Sequence, residues 1–478
     1  MGVYETCETD THLSILIMKI KKVSGVIFAF LIISTFYACE EIEAGEIGSP
    51  SEPVNQSIDS AGQDLPKQEI GITVTVPPDD IGQIQVQPIQ SSSVNFAKEI
   101  QIAYIKDKNI WTWSRENGNQ QLTFSGGVDQ IKIHPDGQLI AYLKQADDFH
   151  GELWIIDFNG QNERRVLGVF ELDQLGSGAR DPNSVAINPY QFNWIPGTRK
   201  IAFNTRQVFQ DSSFIRLDDL NWVDIDSLER RTIIPPFQGG NFRYSQNGAF
   251  IAVATPSEIS LIPADGSDRK IALEYEQVIS YSEQKYYADP IWSPDSKSLY
   301  VAISPVDPLA EPRNPTTLWE IPVSGEKAFQ IGSIIAQPFI SSEVIYSPDV
   351  QKIMFLRETG HPSENRSELF IANNDGTEEL PVQKDKFIQL LGWSPDSNLI
   401  VFKQGENWEA RIGRIGNPPE PLLEDSFGIF NIKWVNTDTF LILKEYGDNF
   451  LLVLNSLKGE SIIVDEIPAP PTDFDFIN

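Results

Sequence analysis

Between Glu99 and the C-terminus, short apolar runs alternate with short polar turns, and no helical spacing persists beyond two turns. The turns repeat a phrase. "IKIHPDGQLIAYLK", "FNWIPGTRKIAFNT", "FRYSQNGAFIAVAT", "PIWSPDSKSLYVAI", "VIYSPDVQKIMFLR", "LGWSPDSNLIVFKQ" and "IKWVNTDTFLILKE" each read as a strand, usually closed by an aromatic residue, then a tight turn and a nearly all-apolar strand. Proline supplies the fixed φ of the first turn position, Asp or Asn bonds back to its own backbone, and Gly, Ser or Thr closes the hairpin. An all-apolar second strand is expected where both faces of a sheet are covered. A third strand with its own polar turn follows, as in "ELWIIDFNG", "EISLIPADG", "TLWEIPVSG" and "ELFIANNDG", and often a short fourth, as in "QQLT" (Gln120 to Thr123) or "RRVL" (Arg164 to Leu167).

The phrase recurs roughly every 41 to 61 residues, the period of four-stranded units. Four strands cannot bury their own two faces, so the units must stack, and stacking around an axis leaves no exposed terminal face. The expected fold is all-β, a β-propeller. The first unit, Glu99 to Thr123, lacks an opening strand, and the C-terminus offers a spare one, "TDFDFI" (Thr472 to Ile477), after the break "IPAPP". Pairing of the two ends closes a ring of eight four-stranded blades; seven is the alternative, if one degenerate unit is an insertion.

Trp292-Ser293-Pro294-Asp295-Ser296 and Trp393-Ser394-Pro395-Asp396-Ser397, with Pro135-Asp136-Gly137 and Pro348-Asp349, resemble the repeats of TolB-like propellers, a WD-repeat-like family of bacterial exported proteins. Trp194 to Thr198, Tyr244 to Gly248 and Trp434 to Asp438 are degenerate versions. The resemblance spans residues 96–478 and implies a fold more than a function, since propellers host many roles.

The N-terminus adds an address. From Met18, Lys19, Lys21 and Lys22 precede the apolar run Val26 to Ile33 and then Phe36-Tyr37-Ala38-Cys39, the order of a secretory signal. That apolar run is short for a spanning helix. Its end resembles the lipobox of bacterial lipoproteins, which implies lipid attachment at Cys39 after cleavage; Phe36 stands where Leu is commonest. Residues 1–17 read as an upstream mis-start, 18–38 as the signal peptide and 39–95, rich in Pro, Ser, Gln, Gly and acids, as a disordered tether. The expectation is an exported protein anchored by lipid outside the cytoplasmic membrane, in the periplasm or at the cell surface. The chain has 2 Cys, Cys7 and Cys39, so none remains in the repeats to form a disulfide.

The formal net charge of -30 opposes nucleic-acid binding, which calls for a Lys/Arg surface. Catalytic signals are sparse. The 4 His show no metal-ligand spacing, and no G-x-S-x-G elbow occurs. No cofactor or metal is expected. The Asp residues of the repeated turns are accounted for by turn chemistry, and the acids of "DDFHGE" (Asp147 to Glu152) and "RLDDLNWVDID" (Arg216 to Asp226) read as solvated loop acids. Three long loops, Gly168 to Tyr190, Gln277 to Pro290 and Ser304 to Leu318, mix aromatic, Arg and polar residues, a composition suited to binding. Tyr281, Tyr286, Tyr287 and Arg313 are the candidate contacts. The leading expectation is a binding or scaffold module for a protein, peptide or glycan; the alternative is a carbohydrate-active enzyme with carboxylates at a central channel.

Overall fold

The computed structural model describes residues 99–282, 284–337, 344–359, 366–471 and 473–477. Cys39, the signal and the tether lie outside them. The described strands form eight sheets: seven have four strands and one has a fifth short piece. Blade 1 uses residues 101–121, blade 2 128–167, blade 3 186–234, blade 4 241–274, blade 5 291–334, blade 6 344–385, blade 7 388–421 and blade 8 429–467.

In blades 2 to 8 the strands lie in chain order and are antiparallel. Gln130, Gln191, Asn241 and Asp289, from the first strands of blades 2, 3 and 4 and the lead-in to blade 5, line one cleft of about 630 Å³, which places first strands toward the axis. Second strands are almost wholly buried, as in Leu139–Gln145 and Leu399–Gln404, whereas fourth strands such as Arg230–Ile234 are largely exposed. The gradient explains the all-apolar second strand: it is sandwiched between neighbouring blades.

Blade 1 contains only three strands of its own segment, Gln101–Lys106, Asn109–Ser114 and Gly118–Gln121. Its innermost strand is the C-terminal Phe474–Ile477, paired antiparallel with Gln101 to Tyr104. Carboxylates fasten the other edge of that strand: Asp475 Oδ2 accepts from Ile133 N at 2.8 Å and Asp473 Oδ2 from Ile131 N at 3.2 Å, both in the first strand of blade 2. Eight apolar clusters fill the eight junctions between neighbouring blades, that between blades 8 and 1 included, where Tyr104 and Trp113 meet Leu441, Leu452 and Val464. The ring is closed and has eight blades.

The repeated turns hold as their chemistry requires. Ser293 Oγ donates to Asp295 Oδ1 at 2.7 Å and Ser394 Oγ to Asp396 Oδ1 at 2.6 Å, while the same hydroxyls accept from Ser298 N and Leu399 N. These bonds, led by the Ser donor, hold both carboxyls below their ordinary range. The residue after the Asp is left-handed in blades 5, 6 and 7, at Ser296, Val350 and Ser397 (φ 59, 56 and 62), and Gly137 and Gly248 occupy that place in blades 2 and 4.

The aromatic that precedes the turn reaches the preceding blade. Trp194 Nε1 donates to Lys132 O, Trp292 Nε1 to Arg243 O and Trp393 Nε1 to Ile345 O, each at 3.0 Å. These belong to blades 3, 5 and 7. In blades 4, 6 and 8 the equivalent Tyr244, Tyr346 and Trp434 are packed with polar atoms that are buried and unbonded.

Two segments depart from the expected plan. The loop Gly168 to Tyr190 contains a helix, α1 (Val169–Gly176), and gives its end to the first strand of blade 3, Ala186–Trp194. The third strand of blade 3 is broken: Phe214–Arg216 pairs with residues 206–208 and Leu220–Asp224 with residues 200–203. At the break Asp219 is 1% exposed, so it is not a solvated loop acid. Its carboxylate accepts from Thr205 N at 2.7 Å, Thr205 Oγ1 at 2.8 Å and Asn221 Nδ2 at 2.7 Å, replacing the missing ladder bonds, and burial raises its pKa. Glu152 is likewise buried, with its carboxylate on Arg165 and Trp154.

Candidate functional site

Antiparallel order fixes which connections share a face. The links between blades and those between second and third strands emerge at one end of every sheet, here called the loop face; the remaining turns, the repeated phrase included, emerge at the other, the turn face. The first strand of blade 1's own segment begins at the turn face, because Gln101 pairs with Ile477 at the end of a first strand. Both ends of the described ring therefore lie on the turn face.

The two faces differ in chemistry. Among the described residues nineteen large apolar side chains are exposed, and twelve belong to the loop face. Eight of these are aromatic: Phe124 and Phe170 in the links to blades 2 and 3, Phe214 and Phe237 at the edge of blade 3, Tyr281 in the link to blade 5, and Trp408, Phe427 and Tyr446 around blades 7 and 8. Phe124 and Phe170 are 78% and 70% exposed. The turn-face turns contribute only Leu228 and Leu457. Exposed aromatics concentrated on one surface are of the residue types that interaction surfaces are built from.

All four sequence candidates lie on the loop face, in neighbouring connections of blades 4 and 5. Tyr281 is 58% exposed and donates to Asp307 Oδ1 at 2.8 Å, which bridges two loops and raises the phenol's pKa. Tyr286 points inward; its hydroxyl meets Ala302 O and Ser304 N, each at 3.3 Å. Tyr287 donates to Asp218 Oδ2 at 2.5 Å and stacks under Arg216, 4.3 Å from its ring centre; burial first and then Asp218 push its pKa up. Arg313 donates to Pro308 O and to Glu358 Oε2 of blade 6, both at 2.8 Å. Tyr286, Tyr287 and Arg313 thus hold loops in place, and Tyr281 presents ring surface to solvent.

The sequence reading missed Phe124, Phe214, Phe237, Trp408, Phe427 and Tyr446, while Phe170 lies in the loop Gly168 to Tyr190 that it had singled out. For the six the only signal available was topological: every one falls between a fourth and a first strand, or between a second and a third.

Among the described residues, three carboxylates around the axis are committed to structural partners. Asp289 pairs with Arg243 at 2.8 Å, Asp473 with Lys433 at 3.5 Å, and Asp475 with the backbone of blade 2. Among the described residues no group of His, Cys, Asp and Glu has the arrangement to hold a metal ion. Nor is any described helix long and apolar enough to cross a membrane.

No family model and no curated protein matches the chain. Solved structures match at low identity. TolB from Acinetobacter baumannii is 15% identical over 58% of this chain and 68% of its own, with a TM-score of 0.30. The β-propeller domain of the trilobed protease from Pyrococcus furiosus is 13% identical over 71% of this chain and 95% of its own, with a TM-score of 0.42. A eukaryotic initiation factor is 11% identical over 79% and 98%, with a TM-score of 0.48.

Proposed function

We propose that this propeller is a binding or scaffold module that takes a protein, peptide or glycan partner on its loop face, held outside the cytoplasmic membrane by a lipid on Cys39. The observation that carries the binding half is the gathering of exposed aromatics on one face. Such side chains supply large contact area at low entropic cost, which is how interface hot spots are built. The anchoring half rests on the residues from Lys19 to Cys39. A tether of roughly fifty flexible residues spans on the order of 40 Å.

Hydrolysis is the weaker reading, because the axial carboxylates are engaged with Arg243, Lys433 and backbone donors rather than free to act as an acid and base pair. Two measurements test the proposal. Crosslinking and co-purification from native membranes should capture a partner with the wild-type protein and lose it when Phe124, Trp408 and Phe427 are changed together to Ser; retention by the triple variant sinks the binding reading. Mass spectrometry of the mature N-terminus should find an acylated Cys39, and any other terminus removes the anchor.

A further inference from the structure

Between blades 2 and 3 the loop face sinks into a cleft of about 300 Å³. Its floor is fixed by Asn188, whose Oδ1 accepts from Gly151 N at 2.9 Å and whose Nδ2 donates to Phe149 O at 2.7 Å, stapling the blade 2 loop to the first strand of blade 3. Arg206, from the second strand of blade 3, lines it. Its guanidinium lies over Phe214 at 4.7 Å and Tyr190 at 5.6 Å from the ring centres. The two rings themselves pack at 5.6 Å. Among the described residues Arg206 has no ion-pair partner, and its Nε is buried without a hydrogen bond. The neighbouring Arg216 differs, being paired with Asp218 at 2.8 Å and bonded to Asn241 at 2.9 Å.

A guanidinium directs its donor fork along its own plane, and one with no ion pair in a partly buried cleft is costly unless a ligand completes it. The remaining wall is of two kinds. Lys108, and Lys144, which also pairs with Glu163 at 3.4 Å, add positive charge in a chain whose net charge is -30, against Asp129, whose field acts on Arg206, and Asp148. Phe149 and Phe214 add apolar surface, and Val128, Leu143 and Val208 are buried in its wall. Burial lowers the guanidinium's pKa and outweighs the opposing field of Asp129.

We propose that this cleft is a subsite for a carboxylate borne beside an apolar side chain, as at the C-terminal residue of a peptide, with Arg206 forking onto the carboxylate and the apolar wall taking the side chain. The proposal rests on the loop face being the binding face and narrows the partner to one with a free peptide terminus. A fork-to-carboxylate contact is charge-assisted and bidentate, whereas an amide in its place keeps one acceptor and brings an extra donor toward a group that can only donate.

The test is calorimetric titration of the full chain at low salt with N-acetyl-Ala-Leu as free acid and as its C-terminal amide. The acid should bind about tenfold or more tightly than the amide. Arg206→Gln should abolish that preference and Arg206→Lys should reduce it, with unchanged melting temperatures showing that the fold survives. Equal binding of acid and amide, a preference retained in Arg206→Gln, or no binding of the acid by the wild type overturns the proposal. Glucuronic acid binding more tightly than the peptide acid overturns it as well, since the apolar wall would then be idle. If Arg206→Gln leaves partner capture from membranes intact while the Phe124, Trp408 and Phe427 variant loses it, the loop face stands as the binding face and this subsite does not.

Discussion

At the scale of single residues the most telling contrast is between the indoles of blades 3, 5 and 7 and the aromatics at the same turn position in blades 4, 6 and 8. Trp292 and Trp393 give their N–H to a carbonyl of the preceding blade, whereas Tyr346 buries a hydroxyl that bonds to nothing. Losing a donor strands the carbonyl it served, while deleting an orphan removes a penalty. Trp292→Phe should therefore cost about 1–3 kcal/mol, and Tyr346→Phe should be neutral or stabilise by up to about 1 kcal/mol. The shift of the urea midpoint reads both. The sequence announced an aromatic at six of the seven turns, Ile133 standing there in blade 2, because the position must be filled from both sides. Which aromatics would bond was hidden, since that depends on how far a ring reaches across a junction rather than on its own strand.

At the scale of elements the closing strand, Phe474–Ile477, was legible as a supply matched to a deficit: blade 1 lacked a strand and the C-terminus had one to spare. Less legible was its attachment to blade 2 through side chains, because Asp473 and Asp475 look like any polar positions of an alternating strand. Burial raises the pKa of Asp475 above the ordinary 3.8. The folded state then binds the proton more tightly than the unfolded one, so this group adds stability as pH falls through its folded pKa toward 3.8 and withdraws it as pH rises. Asp475→Asn lacks the effect, so variant stability relative to wild type should be highest near neutral pH and decline on acidification, a trend that urea titrations across that range can follow. Close approach gives a second element-scale prediction. A Cβ on Gly332, in the fourth strand of blade 5, would stand 1.7 Å from Asp375 O in a turn of blade 6. Gly332→Ala should push the two blades apart and cost about 1–3 kcal/mol or more in chemical denaturation. The broken third strand of blade 3 escaped the sequence for a related reason: "RLDDLNW" reads as a polar loop until Asp219 is seen to stand in for a neighbouring backbone.

At the scale of the whole molecule the ring followed from arithmetic on strands, and the eight filled junctions leave no blade that keeps its core when its neighbours are removed. Ending the chain after Ile467 should accordingly do more than fray one edge. Near-UV and far-UV signals should melt at a lower temperature and the protein should elute as aggregates, because the uncovered inner edges of blades 1 and 2 are templates for further pairing. Coincident melting with the intact chain would show the closing strand to be dispensable. The two best copies of the repeated phrase, at Trp292 and Trp393, lie two blades apart, which is also the spacing of the bonded indoles. The gathering of exposed aromatics on one face was the part of this scale the sequence concealed. An isolated aromatic in a short connection is unremarkable until topology assigns every such connection to one side.

Because the described ring starts and finishes on the same side, copies grafted at moderate density onto a bead or sensor chip through either end would all show an identical aromatic carpet to the flowing solution. A ligand that repeats its epitope could bridge several neighbours at once, and its dwell time would climb with grafting density in a way no single-copy affinity foretells.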